Sequence, residues 1–287
     1  MTTVAIQGEA GSFSHAAALA LFGPALELLP CASFAELFQA VETGTAARGL
    51  VPIENSLAGS VHENYDLLNA HPLHVVGETF LRIRHCLIAR PGTALDEIRR
   101  VASHPVALAQ CRRFFVTHPD IDAVPAYDTA GSVRSLMEGN AVADAAIASA
   151  LAARLYGAAV IAADLEDHAE NYTRFLVVAG DPTDVRGATK TLLMVTLDNA
   201  PGALHRALGV FAARGLDLSK IESRPLPGRP WEYLFYLDVL ATSRPTLAEA
   251  LDELRGFAAS LRVLGSFTPT PLAHPPADAA APHNPPV

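Results

Sequence analysis

Residues 165–180, LEDHAENYTRFLVVAG, hold the pattern around which the rest of the chain is organised. The stretch begins as an acidic, polar turn, passes through the tetrapeptide YTRF (172–175) and ends in the apolar run 176–179. A short apolar run flanked by turn residues predicts a buried strand. The hydroxyl of Thr173 and the guanidinium of Arg174 therefore lie at a loop-to-strand boundary, where a scaffold can hold functional groups rigidly.

The composition limits the classes of protein that need to be considered. The chain has 287 residues, half of them apolar, and a formal net charge of −9, which is enough for two domains with proper cores. The negative charge argues against general binding to nucleic acids or anionic membranes, because both favour basic surfaces. The three cysteines, Cys31, Cys86 and Cys111, include no CxxC pair, so neither a disulfide framework nor a zinc site is indicated.

The hydrophobic segments do not predict export or a membrane span. The first residues, MTTVAIQGEAG, carry no basic segment and lead straight into a strand, which indicates no secretory signal. The alanine-rich stretch 141–163 contains Asp144 and Arg154, so we expect a helix packed on a core over 145–153. With the unpaired cysteines, these features predict a cytoplasmic protein.

Four predicted strand-to-helix junctions carry small polar residues. They lie at 8–15, 52–60, 103–105 and 128–132, and we expect Ser14 and Ser103 to cap two of the helices. Each helix start offers unpaired N–H donors and about half a positive charge. In an open α/β sheet, such junctions line a crevice at the carboxyl ends of the strands. Together with Arg174 they predict a cleft for a small polyanion.

The order of elements predicts two α/β domains. Residues 1–181 are expected to form two lobes, with the chain crossing between them near residues 77 and 164. A polar linker, 182–188, follows. Residues 189–268 then run strand, helix, strand, strand, helix, strand, which is the ferredoxin-like βαββαβ pattern. The remainder, 269–287, is rich in proline and alanine without periodicity and predicts a disordered tail.

Seven motifs resemble, in order, those of prephenate dehydratases that carry a C-terminal ACT regulatory domain. They are GEAGSFSH (8–15), PIENS with LAGSV (52–61), SHPVALAQC (103–111), DTAGS (128–132), NYTRF (171–175), GAL (202–204) and ESRP (222–225). Each motif alone is weak, whereas all of them in order at plausible spacing are a strong signal. The resemblance extends to about residue 268 and implies a two-lobed catalytic domain like a periplasmic binding protein, followed by an ACT domain.

The resemblance implies a reaction in phenylalanine biosynthesis. Prephenate would lose its ring hydroxyl, and one carboxylate as CO2, to give phenylpyruvate. Because aromatisation supplies the driving force, neither a cofactor nor a metal is expected. Prephenate is a dianion, and Arg174 would offer a bidentate fork for one carboxylate. The helix starts at 12–14 and 128–132 would hold the other.

The resemblance also implies roles for individual residues. Thr173 matches the family's essential threonine and would donate a hydrogen bond to the leaving hydroxyl. The catalytic set expected from the motifs is Thr173, Arg174, Glu54, Asn55, Ser103 and Gln110. The substrate-binding set expected from the same motifs is Ser12, Ser14, Asp128, Thr129 and Phe175.

The ACT-like domain implies regulation by an amino acid, with phenylalanine, the pathway end product, as the expected effector. In this family the effector pocket forms between the domains of two subunits, which implies a homodimer or a homotetramer. The helix start at Gly202 can bind a carboxylate through backbone N–H groups. The expected effector-binding residues are Gly202, Ala203, Leu204, His205, Glu222, Ser223, Arg224 and Pro225.

Two other functions stay open at this point. The first is arogenate dehydratase, the same chemistry on the aminated substrate, since the sequence does not separate a 2-oxo from a 2-amino side chain. The second is a non-catalytic amino-acid sensor. The pair Thr173 and Arg174, together with Glu54, Asn55 and Gln110, argues against the sensor, because a pure binding protein needs no donor for a leaving group.

Overall fold

The computed structural model describes residues 2–182, 187–226 and 228–271. Numbered in chain order, the strands are β1 Thr3–Gln7, β2 Glu27–Cys31, β3 Arg48–Asn55, β4 Gly59–Ser60, β5 His74–Arg82, β6 Cys86–Ala89, β7 Arg100–Ser103, β8 Asp122–Pro125, β9 Ala145–Ala148, β10 Ala159–Ala162, β11 Tyr172–Ala179, β12 Lys190–Thr196, β13 Asp217–Pro225, β14 Tyr233–Leu240 and β15 Ser260–Phe267. The helices are α1 Phe13–Phe22, α2 Phe34–Glu42, α3 His62–Ala70, α4 Pro105–Ala109, α5 Arg112–Thr117, α6 Thr129–Met137, α7 Ala150–Tyr156, α8 Ala203–Ala212 and α9 Arg244–Arg255. Within the described ranges, every helix falls short of the length and apolar character that a membrane crossing requires.

The first lobe is built on a six-stranded mixed sheet. Its strand order is β2-β1-β3-β11-β5, with β4 paired to β3. Strand β11, predicted from the run at 176–179, lies inside the sheet between β3 and β5 and is antiparallel to both. Its apolar half is buried on both faces, which explains why Leu176–Ala179 form a continuous apolar run rather than an alternating one.

The second lobe has a five-stranded sheet in the order β10-β6-β9-β7-β8. The helix predicted over 145–153 is wrong in its first half, because Ala145–Ala148 form the central strand β9 and the helix begins only at Ala150. All four residues of β9 are buried between β6 and β7. A short run of small apolar residues fits a buried strand and a buried helix equally well by periodicity alone.

The chain crosses between the lobes at 83–85 and again at 163–171. Position 164 falls within the second crossover. The crossover expected near residue 77 is wrong, because Gly77 lies inside β5 in register with Val177 of β11. Strand β5 continues to Arg82, so it contributes its full length to the first lobe before the chain leaves it.

A loop at 8–11 holds the first lobe against the second. The Ser149 hydroxyl of the second lobe donates a hydrogen bond to the Gly11 carbonyl (2.5 Å), and the Asp128 carboxylate accepts from the Glu9 N–H (3.0 Å). Gly11 has a φ of +91°, and a Cβ there would lie 2.8 Å from the Cα of Ala152. Only glycine therefore allows this approach of the loop to α7.

The C-terminal domain has the predicted βαββαβ order. Its antiparallel sheet runs β13-β14-β12-β15, and α8 and α9 cover one face. The other face packs on the first lobe, where Leu192, Met194 and Tyr236 belong to the same buried cluster as Val75. Gly265 of β15 lies so close to β5 that a Cβ would be 1.8 Å from the Val75 carbonyl oxygen. The two domains therefore share a continuous apolar core.

Four buried charges also join the two domains. Arg174 of β11 lies 2.7 Å from Glu78 of β5 and 2.6 Å from Asp238 of β14, and Lys190 of β12 lies 3.0 Å from Glu78 and 3.3 Å from Asp238. None of these side chains is more than 8% exposed. Burial opposes the charge of Arg174, but the Asp238 and Glu78 carboxylates outweigh it and raise the pKa of Arg174. We call this set the charge quartet.

Two predicted helix caps are wrong by a short shift in sequence. Ser12, not Ser14, caps α1, and its Oγ accepts from the His15 N–H (3.3 Å). His104, not Ser103, caps α4.

Most of the predicted linker (183–186) and the predicted tail beyond residue 271 lie outside the described residues.

Candidate active site

A cleft of about 740 Å³ lies between the two lobes. It is lined at the carboxyl ends of β1, β3, β7 and β8, where the sequence predicted the polar junctions. Eight of the predicted site residues line it: Ser12, Ser14, Asp128, Thr129, Phe175, Thr173, Asn55 and Gln110. The structure thus brings together residues that are up to about 160 positions apart, from 12 to 175.

Thr173 is half-buried at the start of β11. Its Oγ1 accepts a hydrogen bond from the Asn55 amide at 3.0 Å. The contact follows from strand register, since β3 and β11 place Asn55 directly opposite Thr173. Because the threonine oxygen is the acceptor in this bond, its own hydrogen is left for a ligand in the cleft.

Three amide side chains form a closed ring of hydrogen bonds beside this threonine. Asn55 Nδ2 donates to Asn171 Oδ1 (2.8 Å), Asn171 Nδ2 donates to Gln110 Oε1 (2.9 Å), and Gln110 Nε2 donates to Asn55 Oδ1 (3.3 Å). Asn55 Oδ1 also accepts from the backbone N–H groups of Leu57 and Ala58. Those N–H groups can only donate, so the orientation of the Asn55 amide is fixed. The ring spans the first lobe, the second crossover and the second lobe.

His85 is a cleft residue that the sequence analysis missed. It lies in the first crossover, is 1% exposed, and its Nε2 is 2.9 Å from Gln110 Oε1. Its ring packs edge-on against Phe13, with the ring centroids 5.3 Å apart. Burial lowers the pKa of His85, and the bond to Gln110 and the charge of Glu166 oppose this in part.

Asn171 was quoted within the motif NYTRF but was not predicted as a site residue. It is fully buried, and it is the member of the amide ring that comes from the second crossover. For His85 the only sequence signal was a lone histidine in the strand-like run 84–89. Neither pattern distinguishes a cleft residue from an ordinary buried polar group, because the contacts that define them come from other elements of the fold.

Arg174 does not line the cleft. Successive side chains on a strand point to opposite faces, so Thr173 and Phe175 face the cleft and Arg174 faces the C-terminal domain. Its guanidinium is already held by Glu78 and Asp238 in the charge quartet. The prediction that Arg174 binds a substrate carboxylate is therefore wrong for this structure.

Two other predicted catalytic residues also lie outside the cleft lining. Ser103 is fully buried, and its hydroxyl donates to the Ile147 carbonyl at 2.6 Å, which ties β7 to β9. Glu54 is partly exposed and lies 3.0 Å from the Lys220 ammonium of β13. Ser103 therefore has a structural contact within the second lobe, and Glu54 has one between the two domains.

The groups of the cleft that can bind an anion are mainly backbone N–H groups. Among the described residues that line it, none is lysine or arginine. Helices α1 and α6 begin at the cleft from opposite lobes, and the Asp128 side chain does not cap α6. The N–H groups of Phe13 and Ser14 make no hydrogen bond to another described residue. Two helix N-termini are thus available to anionic groups.

A second, smaller pocket of about 110 Å³ lies in the C-terminal domain. It is lined by the start of α8 and by the aromatic side chains of Trp231, Tyr233 and Phe235. Ala203 and Leu204, predicted for the effector site, line it as well. Gly202 and His205 flank these two residues and are exposed. Gly202 caps α8 with a φ of +83°, a conformation that favours glycine.

The four predicted effector residues on β13 divide between the two faces of the sheet. Ser223 and Pro225 are exposed and lie beside Phe235 and Tyr233 of this pocket in the β13–β14 register. Glu222 and Arg224 alternate to the face that contacts the first lobe. Glu222 accepts from the Ser60 hydroxyl (2.5 Å), and Arg224 lies 2.7 Å from Asp66. Only one half of the motif therefore lies near the pocket.

The structure combines a two-lobed α/β domain, which has a polar cleft between its lobes, with a C-terminal βαββαβ domain. This arrangement is that of a small-molecule site joined to a separate second domain. The family model for prephenate dehydratase matches residues 4–183, and that for the ACT domain matches residues 190–256. The chain therefore belongs to the prephenate dehydratase family and is an enzyme with a C-terminal ACT domain. The resemblance noted from the motifs is confirmed.

The chain is similar to named relatives over most of its length. "Arogenate dehydratase/prephenate dehydratase 2, chloroplastic" of Arabidopsis thaliana is 43% identical, over 92% of this chain and 72% of the relative. The solved prephenate dehydratase of Arthrobacter aurescens in complex with L-Phe is 36% identical with a TM-score of 0.85, over 93% of this chain and 90% of that one. A solved structure named GqqA, described as a novel type of quorum quenching acylase, is 37% identical with a TM-score of 0.86, over 94% and 98%.

Proposed function

We propose that this chain catalyses the decarboxylating dehydration of prephenate to phenylpyruvate. The observation that carries the proposal is the hydrogen bond from the Asn55 amide to Thr173 Oγ1, which leaves the threonine hydrogen for a ligand. This donor lies in a cleft that also contains two helix N-termini, so one site offers a partner for a leaving hydroxyl and partners for two carboxylates.

The chemistry requires two bonds of the substrate to break together. The C–C bond to the ring carboxylate breaks and its electron pair enters the ring, while CO2 departs. The C–O bond of the ring hydroxyl breaks with its electron pair on oxygen, and that oxygen takes up a proton supplied by solvent to leave as water. A hydrogen bond donated by Thr173 stabilises the negative charge that develops on the departing oxygen.

The two carboxylates of prephenate are assigned to the two helix starts. The N–H groups of Phe13 and Ser14 on the first lobe would bind one, and the uncapped start of α6 at Thr129 on the second lobe would bind the other. The apolar side chain of Phe175 lines the same cleft and would provide a surface for the ring of the substrate. This arrangement uses both lobes, so closure of the cleft would bring the substrate against Thr173.

A product assay tests the proposal. Purified protein is incubated with prephenate at neutral pH, and phenylpyruvate is measured by the absorbance of its enolate in alkali, with Thr173→Val as the matched control. We expect product from the wild type and a loss of at least 100-fold in turnover for the variant. Absence of product from the wild type, or equal turnover by the two proteins, would contradict the proposal.

Arogenate is a second candidate substrate. Asp128 is the one acidic side chain among the described residues that line the cleft, and a carboxylate there would attract the ammonium group of arogenate. The name of the Arabidopsis relative includes both activities for that protein. Measuring kcat/KM for both substrates in wild type and Asp128→Asn decides between them. A selective loss of arogenate turnover in the variant would support arogenate as a physiological substrate.

The regulatory part of the proposal is that phenylalanine binds the ACT domain of a homodimer or homotetramer and inhibits the enzyme. It is supported by the pocket at the start of α8, whose N–H groups can bind a carboxylate, and by the L-Phe complex of the Arthrobacter relative. The exposed apolar side chains of Trp231 and Tyr233, which line that pocket, and of Ile221 on β13 favour contact with a second subunit.

Light scattering and a phenylalanine titration of activity test the regulatory proposal. A monomer, or an enzyme that is insensitive to phenylalanine, would contradict it.

The cytoplasm is proposed as the compartment because all three cysteines are free and buried, as expected in a reducing environment. Cell fractionation tests that assignment.

A further inference from the structure

His85 carries a buried polar atom that the protein leaves without a partner. Its Nδ1 makes no hydrogen bond to any described residue, although the side chain is 1% exposed and lines the cleft. Buried polar atoms in native proteins are nearly always paired, and the exceptions call for a functional explanation. A ligand group in the cleft would provide the missing partner of Nδ1.

The amide ring determines what His85 Nδ1 can do. Gln110 Oε1 already accepts a hydrogen bond from Asn171 Nδ2, and the fixed amide of Asn55 sets the direction of the whole ring. Gln110 therefore presents its oxygen, not its nitrogen, to His85 Nε2 at 2.9 Å. Since an amide oxygen only accepts, Nε2 carries the hydrogen, and Nδ1 of the neutral ring has a lone pair to offer.

Thr173 and His85 both line the cleft, and both are hydrogen-bonded to the amide ring. Asn55, which bonds Thr173, and Gln110, which bonds His85, are directly bonded to each other. Thr173 contributes a donor and His85 contributes an acceptor. An alcohol oxygen accepts one hydrogen bond and donates another, so the pair complements a single hydroxyl group.

We infer that His85 Nδ1 accepts the hydrogen bond donated by the ring hydroxyl of the substrate, while Thr173 donates to the same oxygen. This inference rests on the proposed function. With both bonds made, the hydroxyl cannot rotate, and one of its lone pairs faces the threonine hydrogen. His85 thus orients the leaving group before the C–O bond breaks, and it contacts substrate but not product, because phenylpyruvate has no ring hydroxyl.

The groups around His85 keep its imidazole neutral, so that Nδ1 can accept a hydrogen bond. Burial lowers the pKa of His85, and Phe13 and Gln110, which pack on the ring, are uncharged. The charged group that acts on the imidazole is Glu166. Its carboxylate accepts a hydrogen bond from the backbone N–H of His85 at 2.8 Å, and it raises the pKa of His85 less than burial lowers it. The neighbouring cation, Arg84, is bound by Asp164. The imidazole of His85 is therefore neutral near pH 7.

Two variants distinguish the roles of the two imidazole nitrogens of His85. His85→Gln keeps a donor near the position of Nε2 and loses the acceptor, whereas His85→Asn keeps an amide oxygen near the position of Nδ1. We expect kcat/KM for prephenate to fall by roughly 10-fold to 100-fold in the Gln variant and by less in the Asn variant. The inhibition constant of phenylpyruvate, which lacks the hydroxyl, should stay within about twofold in both.

The pH profile gives an independent readout. Protonation of Nδ1 removes the acceptor, so kcat/KM of the wild type should fall on the acidic side, and this limb should be missing from the Asn variant, whose amide does not titrate. The inference would be overturned if kcat/KM for prephenate were as high in His85→Gln as in His85→Asn, or higher. It would also be overturned if binding of phenylpyruvate weakened as much as kcat/KM for prephenate fell. A wild type that does not convert prephenate would instead overturn the proposed function, so the two failures are distinguishable.

Discussion

Thr173 and Arg174 are adjacent on β11, and their side chains lie on opposite faces of the sheet. Thr173 Oγ1 is bound by Asn55 in the cleft, and the Arg174 guanidinium lies 2.6 Å from Asp238 of the C-terminal domain. The hydroxyl assigned to catalysis and a charge that joins the domains are therefore one residue apart on a buried strand. Movement of the C-terminal domain relative to β11 would displace the strand that positions Thr173.

The role of Thr173 is tested with Thr173→Val and Thr173→Ser. Valine keeps the shape and removes the donor, so kcat should fall by about 10²-fold to 10³-fold, as for loss of a donor to a developing oxyanion. Serine keeps the hydroxyl and should retain most of the activity. Steady-state kinetics with prephenate measure both. If the valine variant keeps more than a tenth of wild-type kcat while its melting temperature is unchanged, Thr173 is not the donor.

The charge quartet is tested with Lys190→Met. Removing one cation leaves two buried carboxylates with a single partner, Arg174, and breaking a buried pair on one side typically costs about 3–5 kcal/mol. We expect a corresponding fall in the free energy of unfolding in urea. The matched control is Asp252→Asn, which breaks the exposed pair with Arg255 and should change stability by less than about 1 kcal/mol.

The quartet prediction has a clear contrary outcome. If Lys190→Met and Asp252→Asn shift the urea midpoint equally, the buried pairs contribute no more than a surface pair. Deletion of both partners, Lys190→Met with Asp238→Leu, should recover part of the lost stability, because the remaining pair of Arg174 and Glu78 is balanced. A double variant whose loss of stability equals the sum of the losses of Lys190→Met and Asp238→Leu alone would show that the cation and this carboxylate are not coupled.

Much of the fold follows from the sequence, and the reasons for the exceptions are local. The βαββαβ order was predicted because its helices are amphipathic and well delimited, and β11 was predicted because its apolar run is bounded by turns. Ala145–Ala148 were assigned to a helix because alanine has high helix propensity, and only burial between two neighbouring strands makes this segment a strand.

The site was predicted less completely, for reasons of geometry. Motif order identified Thr173, Asn55 and Gln110, but it does not reveal which face of a strand a residue occupies. Arg174 was therefore assigned to the cleft although strand alternation turns it away. His85 and Asn171 were missed because their importance depends on partners from other elements, which no local pattern in the sequence records.

Acid sensitivity is expected from His15. Its Nδ1 accepts from the Gly11 N–H at 3.0 Å, and burial lowers its pKa below the ordinary value of 6.5. The unfolded chain then binds a proton more readily than the folded one, so stability is complete above about pH 6.5 and is lost as the pH falls toward the lowered pKa. Melting temperatures between pH 7.5 and pH 5.5 measure this.

The contribution of His15 is isolated by His15→Asn, whose amide oxygen can accept from Gly11 and does not titrate. Its melting temperature should fall less than that of the wild type over the same acidic range. His168→Asn, at an exposed position, should follow the wild type. If the melting temperature depends on pH equally in all three proteins, groups other than His15 cause the acid sensitivity. His85, whose pKa is also lowered by burial, contributes with the same sign, so the His15→Asn variant should retain part of the slope.

Close packing between the domains is tested with Gly265→Ala. The new Cβ would lie 1.8 Å from the Val75 carbonyl oxygen, a backbone atom that cannot rotate away, so β15 must move off β5. We expect a lower melting temperature and weaker inhibition by phenylalanine, because the regulatory domain no longer packs closely on the first lobe. Gly209→Ala is the matched control. It lies inside α8, has no atom within 4 Å of its new Cβ, and should raise helix stability by up to about 1 kcal/mol. If both variants melt and respond to phenylalanine like the wild type, the contact of Gly265 with Val75 does not hold the domains together.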